Sequence, residues 1–159
     1  MSMADITAFP TIYKVVSQGH HNARDIIAGA AIKAGQVVAY ARTGVSNTVH
    51  PAVKGTTGGI AGVAAYDIAS GARGTIYTNG AIVYVANADD TTAIDAGDLV
   101  EHNDNAVGGT VSALVGVAAT TAPGEALYND VLGYALDDIA GGATGRVMIQ
   151  MQTSRQNQG

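Results

Sequence analysis

The sequence predicts an all-β fold, and three observations carry that expectation. From Gln36 onward, short runs rich in Val, Ile, Thr and Tyr are separated by Gly, Asn, Asp and Ser, the pattern of an all-β sandwich or barrel. No segment shows a sustained 3.6-residue apolar period, so helix content is expected to be small. The third observation is a duplication. The phrase GVAAYDIASGARGTI at 62–76 returns as GYALDDIAGGATGRV at 133–147 with eight of fifteen positions identical, and AAIKAGQVVAY at 30–40 is answered by TAIDAGDLVEH at 92–102. Two phrases recurring in the same order imply a duplicated unit.

Taken in chain order, residues 1–27 find no counterpart in the second half and read as an extended N-terminal arm. Within it, Ile12, Tyr13, Val15 and Val16 form a candidate strand, either on the parent sheet or added to a neighbour's edge. The body spans 28–151, with half-units at 28–87 and 90–151, and a polar tail follows at 152–159. QVVAYAR at 36–42, TVHPAV at 48–53, IAGVAAY at 60–66 and GTIYT at 74–78 are the strands of the first half, with His50 before Pro51 in an expected edge strand. Asn79-Gly80 stands between GTIYT and AIVYVAN. Both residue types tolerate positive φ, which predicts a type I′ hairpin there. The second half repeats the scheme with DLVEH at 98–102, TVSALVGVA at 110–118, VLGYAL at 131–136 and GRVMIQM at 145–151. In TTAPGEALYND at 120–130 a Pro-Gly turn leaves room for one helical turn.

The repeated phrases read as turns between strands. Asp67 and Asp138 are suited to cap them by accepting a hydrogen bond from a backbone N–H a short way downstream. Ile68 and Ile139 would point into the core, Gly71 and Gly142 would supply positive φ, and the chain would resume as strand after Gly74 and Gly145. Gly35 and Gly97 mark the equivalent turn in the upstream phrase.

A chain of 159 residues is expected to form one domain, its half-units sharing a core. Only 13% of residues are charged, where a soluble domain has roughly a quarter. Ala and Gly together make 50 of the residues, so the apolar side chains are mostly small. Much of the exterior is therefore expected to be covered by other subunits. The net charge of −5, with eight basic residues scattered singly, argues against nucleic-acid binding. No apolar run reaches the roughly eighteen residues of a membrane span, and MSMADITAFP lacks a basic start followed by an apolar stretch. A soluble, unprocessed chain is expected. With no cysteine there is no disulfide framework and no thiolate metal site.

The search for chemistry returns no catalytic, cofactor or metal constellation. His20-His21 are adjacent, without the i, i+4 spacing of a metal pair. Asp89, Asp90, Asp95, Asp98, Glu101 and Asp104 fail the EF-hand template and read as a solvated acidic rim. GTTGG at 55–59 lacks the Lys-Ser/Thr of a phosphate loop. No serine sits in a G-x-S-x-G elbow. AAYDIAS at 64–70 superficially resembles the A-G-Y-D-L motif of trimeric dUTPases, but the other motifs of that family are missing and the second copy, ALDDIAG, has lost the Tyr. A degenerate dUTPase-like enzyme is therefore the remotest of the readings.

The ordered phrases AGQVVAY, GVAAYDIASGARGTIYTNGAIVYV, AGDLVEHND and LGYALDDIAGGATGRVMIQM resemble a family of small tailed-phage capsid decoration, or cement, proteins, many filed as a domain of unknown function. The likeness covers residues 28–151 and lies in Gly, Ala, Val and Asp spacing. Family members often carry an aromatic pair where this chain has Val100-Glu101-His102. The resemblance implies a compact β-barrel or β-tulip-like domain on the outer surface of an icosahedral virion, clamping major capsid protein subunits. It also implies a homo-oligomer, a trimer in preference to a dimer, with the arm in the clamp. Phe9, Pro10, Ile12, Tyr13 and Val15 are the expected contact residues. The alternative from another class is a virion or cell-surface binding module, a fibre base or adhesin, with loops at 43–59 and 103–110 as its contact surface.

Overall fold

Ten strands follow one another along the chain: β1 (Ala23–Ala28), β2 (Val37–Tyr40), β3 (Thr48–Pro51), β4 (Ile60–Ala64), β5 (Arg73–Tyr77), β6 (Ile82–Ala86), β7 (Leu99–His102), β8 (Val111–Ala113), β9 (Val131–Ala135) and β10 (Thr144–Ile149). The computed structural model describes residues 23–41, 47–52, 59–87, 92–102, 109, 111–113 and 131–151, and no helix occurs among them. The first five strands close into a barrel in the order β1-β3-β2-β4-β5, and the last five form a sheet in the order β6-β10-β9-β7-β8. These are the same arrangement twice. Replacing β1 to β5 by β6 to β10 turns every antiparallel pairing of the barrel into one of the sheet. The parallel β1–β3 contact that closes the barrel, Ile27 with Thr48 and Ala28 with Val49, shrinks in the second unit to a single parallel bridge between Asn87 and Val111.

Each unit carries one bulge, at the same place. The β2–β4 register slips between Val38 and Ala39, and the β7–β9 register slips between Val100 and Glu101. The extra residue lies beside Gly62 in β4 and Gly133 in β9. A bulge resets the in-out alternation of a strand, so in β4 both Ile60 and Val63 face outward while Ala61 and Ala64 face the barrel interior.

The two faces of the first barrel end in different cores. Ile26, Ile32, Val38, Val49, Ala61, Ile68 and Ile76 fill its interior. Val37, Ala39, Ile60 and Val63 on its outside join a second cluster with Val83, Val100, Leu132, Ile139, Val147 and Ile149 of the second unit. The expectation of one shared core is thus corrected to two clusters, the larger of which spans the junction. Strands buried on both faces read as unbroken apolar runs rather than alternations, which accounts for VVA in β2 and IAGVA in β4.

Three boundaries differ from the sequence expectation. The hairpin at Asn79-Gly80 does not form, because β5 already has β1 on one edge and β4 on the other, leaving no edge for β6, which pairs with β10. A four-residue turn stands there instead, closed by the Ala81 N–H donating to the Thr78 carbonyl at 3.2 Å. Positive φ occurs at Gly80 (91°) but not at Asn79, whereas a type I′ turn needs both. The division between half-units therefore falls at this turn and not at 87–90, and β6 opens the second unit. The segment set apart as an arm, 1–27, ends inside the barrel, since Ala23–Ala28 is β1, the counterpart of β6. Finally, β3 lies between β1 and β2, so His50 is not in an edge strand.

Candidate functional site

The residues repeated in sequence converge on one module per unit. In the first, Ile32 and Ile68 exchange both backbone hydrogen bonds, at 2.9 and 2.8 Å, and Ile94 and Ile139 do the same in the second at 2.9 and 2.8 Å. The Gly35 N–H donates to Ala64 at 2.9 Å and the Gly97 N–H to Ala135 at 2.8 Å. These bonds stitch the Ile-x-Ala-Gly turn of one phrase to the Asp-Ile-Ala turn of the other. The two phrases recur in the same order because they are partners in space.

Asp67 and Asp138 occupy the centre of this stitch. Asp67 Oδ1 accepts from the Ala34 N–H and Asp138 Oδ1 from the Ala96 N–H, each at 2.9 Å. The acceptor role expected of them holds, but the donor lies 33 residues upstream of Asp67 and 42 upstream of Asp138, not downstream in the same turn. Each carboxylate thus links two turns rather than capping one. Within the modules Gly71 and Gly142 have φ of 79° and 73°. At Gly74 and Gly145 the neighbouring Ile68 and Ile139 side chains fill the space a Cβ would take, at 2.3 and 2.4 Å. Both isoleucines are buried, as expected.

Electrostatics favours the ionised form of Asp67 and of Asp137. The Ala34 N–H, and with it the Lys33 ammonium 3.1 Å from Oδ2, holds the Asp67 carboxyl below its ordinary value against the opposing effect of burial. On the second unit the Arg146 guanidinium grips Asp137 through Nε at 2.8 Å and a second nitrogen at 2.5 Å, and holds that carboxyl low in the same way. An ionised carboxylate bound to backbone N–H and a cation is a poor proton donor and a weak base. Asp95 and Asp98 of the acidic rim sit in the Gly97 turn, where Asp98 Oδ2 accepts from the Asp95 N–H at 3.0 Å. No group of three His, Asp or Glu able to hold a metal ion occurs among the described residues.

The junction turn is pinned to the end of β10. Met151 donates its N–H to Asn79 Oδ1 at 2.7 Å, Asn79 Nδ2 donates to the Met151 carbonyl at 3.4 Å, and the Gly80 N–H donates to Ile149 at 2.9 Å. The amide side chain of Asn79 thereby behaves as one residue of an added strand. Phe9, Pro10, Ile12, Tyr13 and Val15 lie outside the described residues.

Sequence reasoning missed two features. Asn87 is fully buried where the first barrel has Ala28, and its amide donates to the Thr92 carbonyl at 2.8 Å, with Ile139 and Ala140 at 3.4 and 3.5 Å. Nothing in the letters marks it, since an Asn after a strand usually signals a turn. Asn47 and Gly109, at matching positions before β3 and β8, both have positive φ, 77° and 86°. Large apolar side chains are exposed at Tyr66 (47%) and Leu99 (44%).

The fold and its modules define a tandem of two equivalent five-stranded β units, one closed and one nearly closed. No family model and no curated protein matches the chain. Among solved structures it is similar to the crystal structure of the head fiber gp8.5 N base in bacteriophage phi29, at 15% identity over 84% of this chain and 97% of that one, with a TM-score of 0.49.

Proposed function

We propose that this chain is a structural protein of a tailed-phage virion and, within that class, a capsid decoration protein that binds major capsid protein on the outer surface of the head as a homo-oligomer. The observation that carries the reading is the division between what the two units share and what they vary. Asp67 and Asp138, Gly74 and Gly145, Ile68 and Ile139 serve backbone geometry in both copies. At exposed or half-buried positions the units differ in chemistry: Lys33 against Asp95, Tyr66 against Asp137, Thr75 against Arg146. A protein that keeps two frames and varies their exteriors acts through surfaces rather than through a reaction centre. The 13% charged fraction favours attachment to other subunits, because many modest contacts on a lattice add through effective concentration. The likeness of residues 28–151 to decoration proteins supplies the partner.

The test is thermal release of packaged genome from particles with and without this protein. A lower release temperature without it is expected, and equal temperatures would overturn the decoration role. Deletion of residues 1–20 stops short of β1 and is expected to weaken attachment while leaving the barrel folded. The reading also makes the chain non-catalytic, so dUTP turnover by the purified protein would sink it.

A further inference from the structure

The contact between the two units has two sides, and each unit carries an equivalent of both. On one side stands the outer face of β2 and β4, where Val37, Ala39 and Val63 are fully buried. On the other stands the turn before β8. Val37 donates its N–H to the Gly109 carbonyl, and Gly109 donates to the Ala52 carbonyl, both at 2.9 Å. The second unit repeats the outer face on β7 and β9, with Leu99 in place of Val37 and Tyr134 in place of Val63. There Leu99 is 44% exposed and Tyr134 partly exposed. The first barrel repeats the turn before β3, where Asn47 has the positive φ of Gly109. The inside contact is filled, whereas on the matching β7–β9 face Leu99 and Tyr134 keep exposed surface beside buried Glu101 and Val131, and at the other end of the tandem Asn47 is half-buried.

We propose that the β7–β9 outer face of the second unit, centred on Leu99, docks the Asn47 end of the first barrel of a second copy, head to tail. The occupant follows from continuity with the contact already present in the chain, which joins unlike surfaces and is therefore heterologous.

The chain has no cysteine, so introduced thiols give an unambiguous readout. Purified full-length Leu99→Cys and Thr48→Cys chains, mixed and treated with a short bismaleimide, are expected to give the mixed cross-linked pair in preference to either like pair. Dominant Leu99→Cys self-pairs would show face-to-face pairing and overturn the proposal, as would the absence of any cross-linked pair. In sedimentation, Leu99→Lys is expected to weaken self-association about tenfold or more, while Tyr66→Ser, on the first unit, leaves it unchanged. Unaltered association of Leu99→Lys would equally overturn it. The contact needs no capsid, so these outcomes are independent of genome-release measurements on particles.

Discussion

A Cβ at Gly62 would lie 2.2 Å from the Tyr77 carbonyl oxygen, and one at Gly133 would lie 1.9 Å from that of Met148. Both obstacles are backbone in a neighbouring strand, so relief requires moving β5 or β10 rather than turning a side chain. At Gly97 nothing lies within 4 Å, and an added methyl meets only the cost of φ at 94°. Gly97→Ala is therefore expected to cost about 1 kcal/mol, and Gly62→Ala or Gly133→Ala about 3 kcal/mol, the upper end of overpacking. Denaturant midpoints of the three variants check the ranking. Asp67 sets a second expectation. Its folded pKa is depressed by the Ala34 N–H and Lys33 below the ordinary 3.8, as that of Asp137 is by Arg146. Their contribution is thus fully present above pH ~4 and is lost as pH falls through the folded values, where the unfolded chain binds more protons. Asp67→Asn retains an acceptor for Ala34 but no titrating charge, so its stability should fall less steeply below pH 4 than that of the native chain. Equal slopes in acid denaturation would refute this.

Among the elements, the second unit lacks one ion pair that the first possesses. Lys33 reaches Asp67, but the residue matching Lys33 is Asp95, beside the turn that Asp138 holds. Asp95→Lys is expected to raise stability by up to about 1 kcal/mol, the range of exposed pairs, with the gain fading in high salt; a lower melting temperature at low salt would contradict it. The same comparison shows how far the elements were legible. Strands β2 to β5 and the all-β class were readable from apolar runs between turn residues, and Asp67, Gly71 and their copies from the repeat. The equivalence of β1 and β6 was not, because ARDIIA and IVYVA share a role without aligned letters. Missing it hid β1 inside the arm and turned the junction into a hairpin. Asn79-Gly80 carries a local preference for reversal, but which strand follows beside which is decided by free edges, and β5 has none. The long reach of Asp67 to Ala34 was invisible for a similar reason, since turn chemistry is read locally while the donor comes from another phrase.

At the scale of the molecule, the cluster spanning the junction couples the stability of the two units. The first barrel has a complete interior of its own around Ile26, Val38 and Ile76, yet its outer Val37, Ala39, Ile60 and Val63 are buried only with the second unit in place. Separation would expose this apolar face and uncover Val83 and Ile149 on the other side. Burial of that kind, at roughly 25 cal/mol per Å², makes the units unfold together as long as the shared cluster is intact. A charge at its centre should uncouple them. Val63→Asp leaves the barrel interior untouched, since Ala61 and Ala64 are the inward residues of β4, but places a carboxylate where it has no partner, at a cost of about 3–5 kcal/mol. The native chain is expected to show one denaturant transition by far-ultraviolet circular dichroism and by hydrogen exchange alike, and Val63→Asp two, with amides of β6 to β10 exchanging first because that unit's closure rests on one Asn87–Val111 bridge. A single, merely lowered transition in the variant would mean that the closed barrel cannot stand without its neighbour, and that the tandem is one folding unit rather than two joined ones.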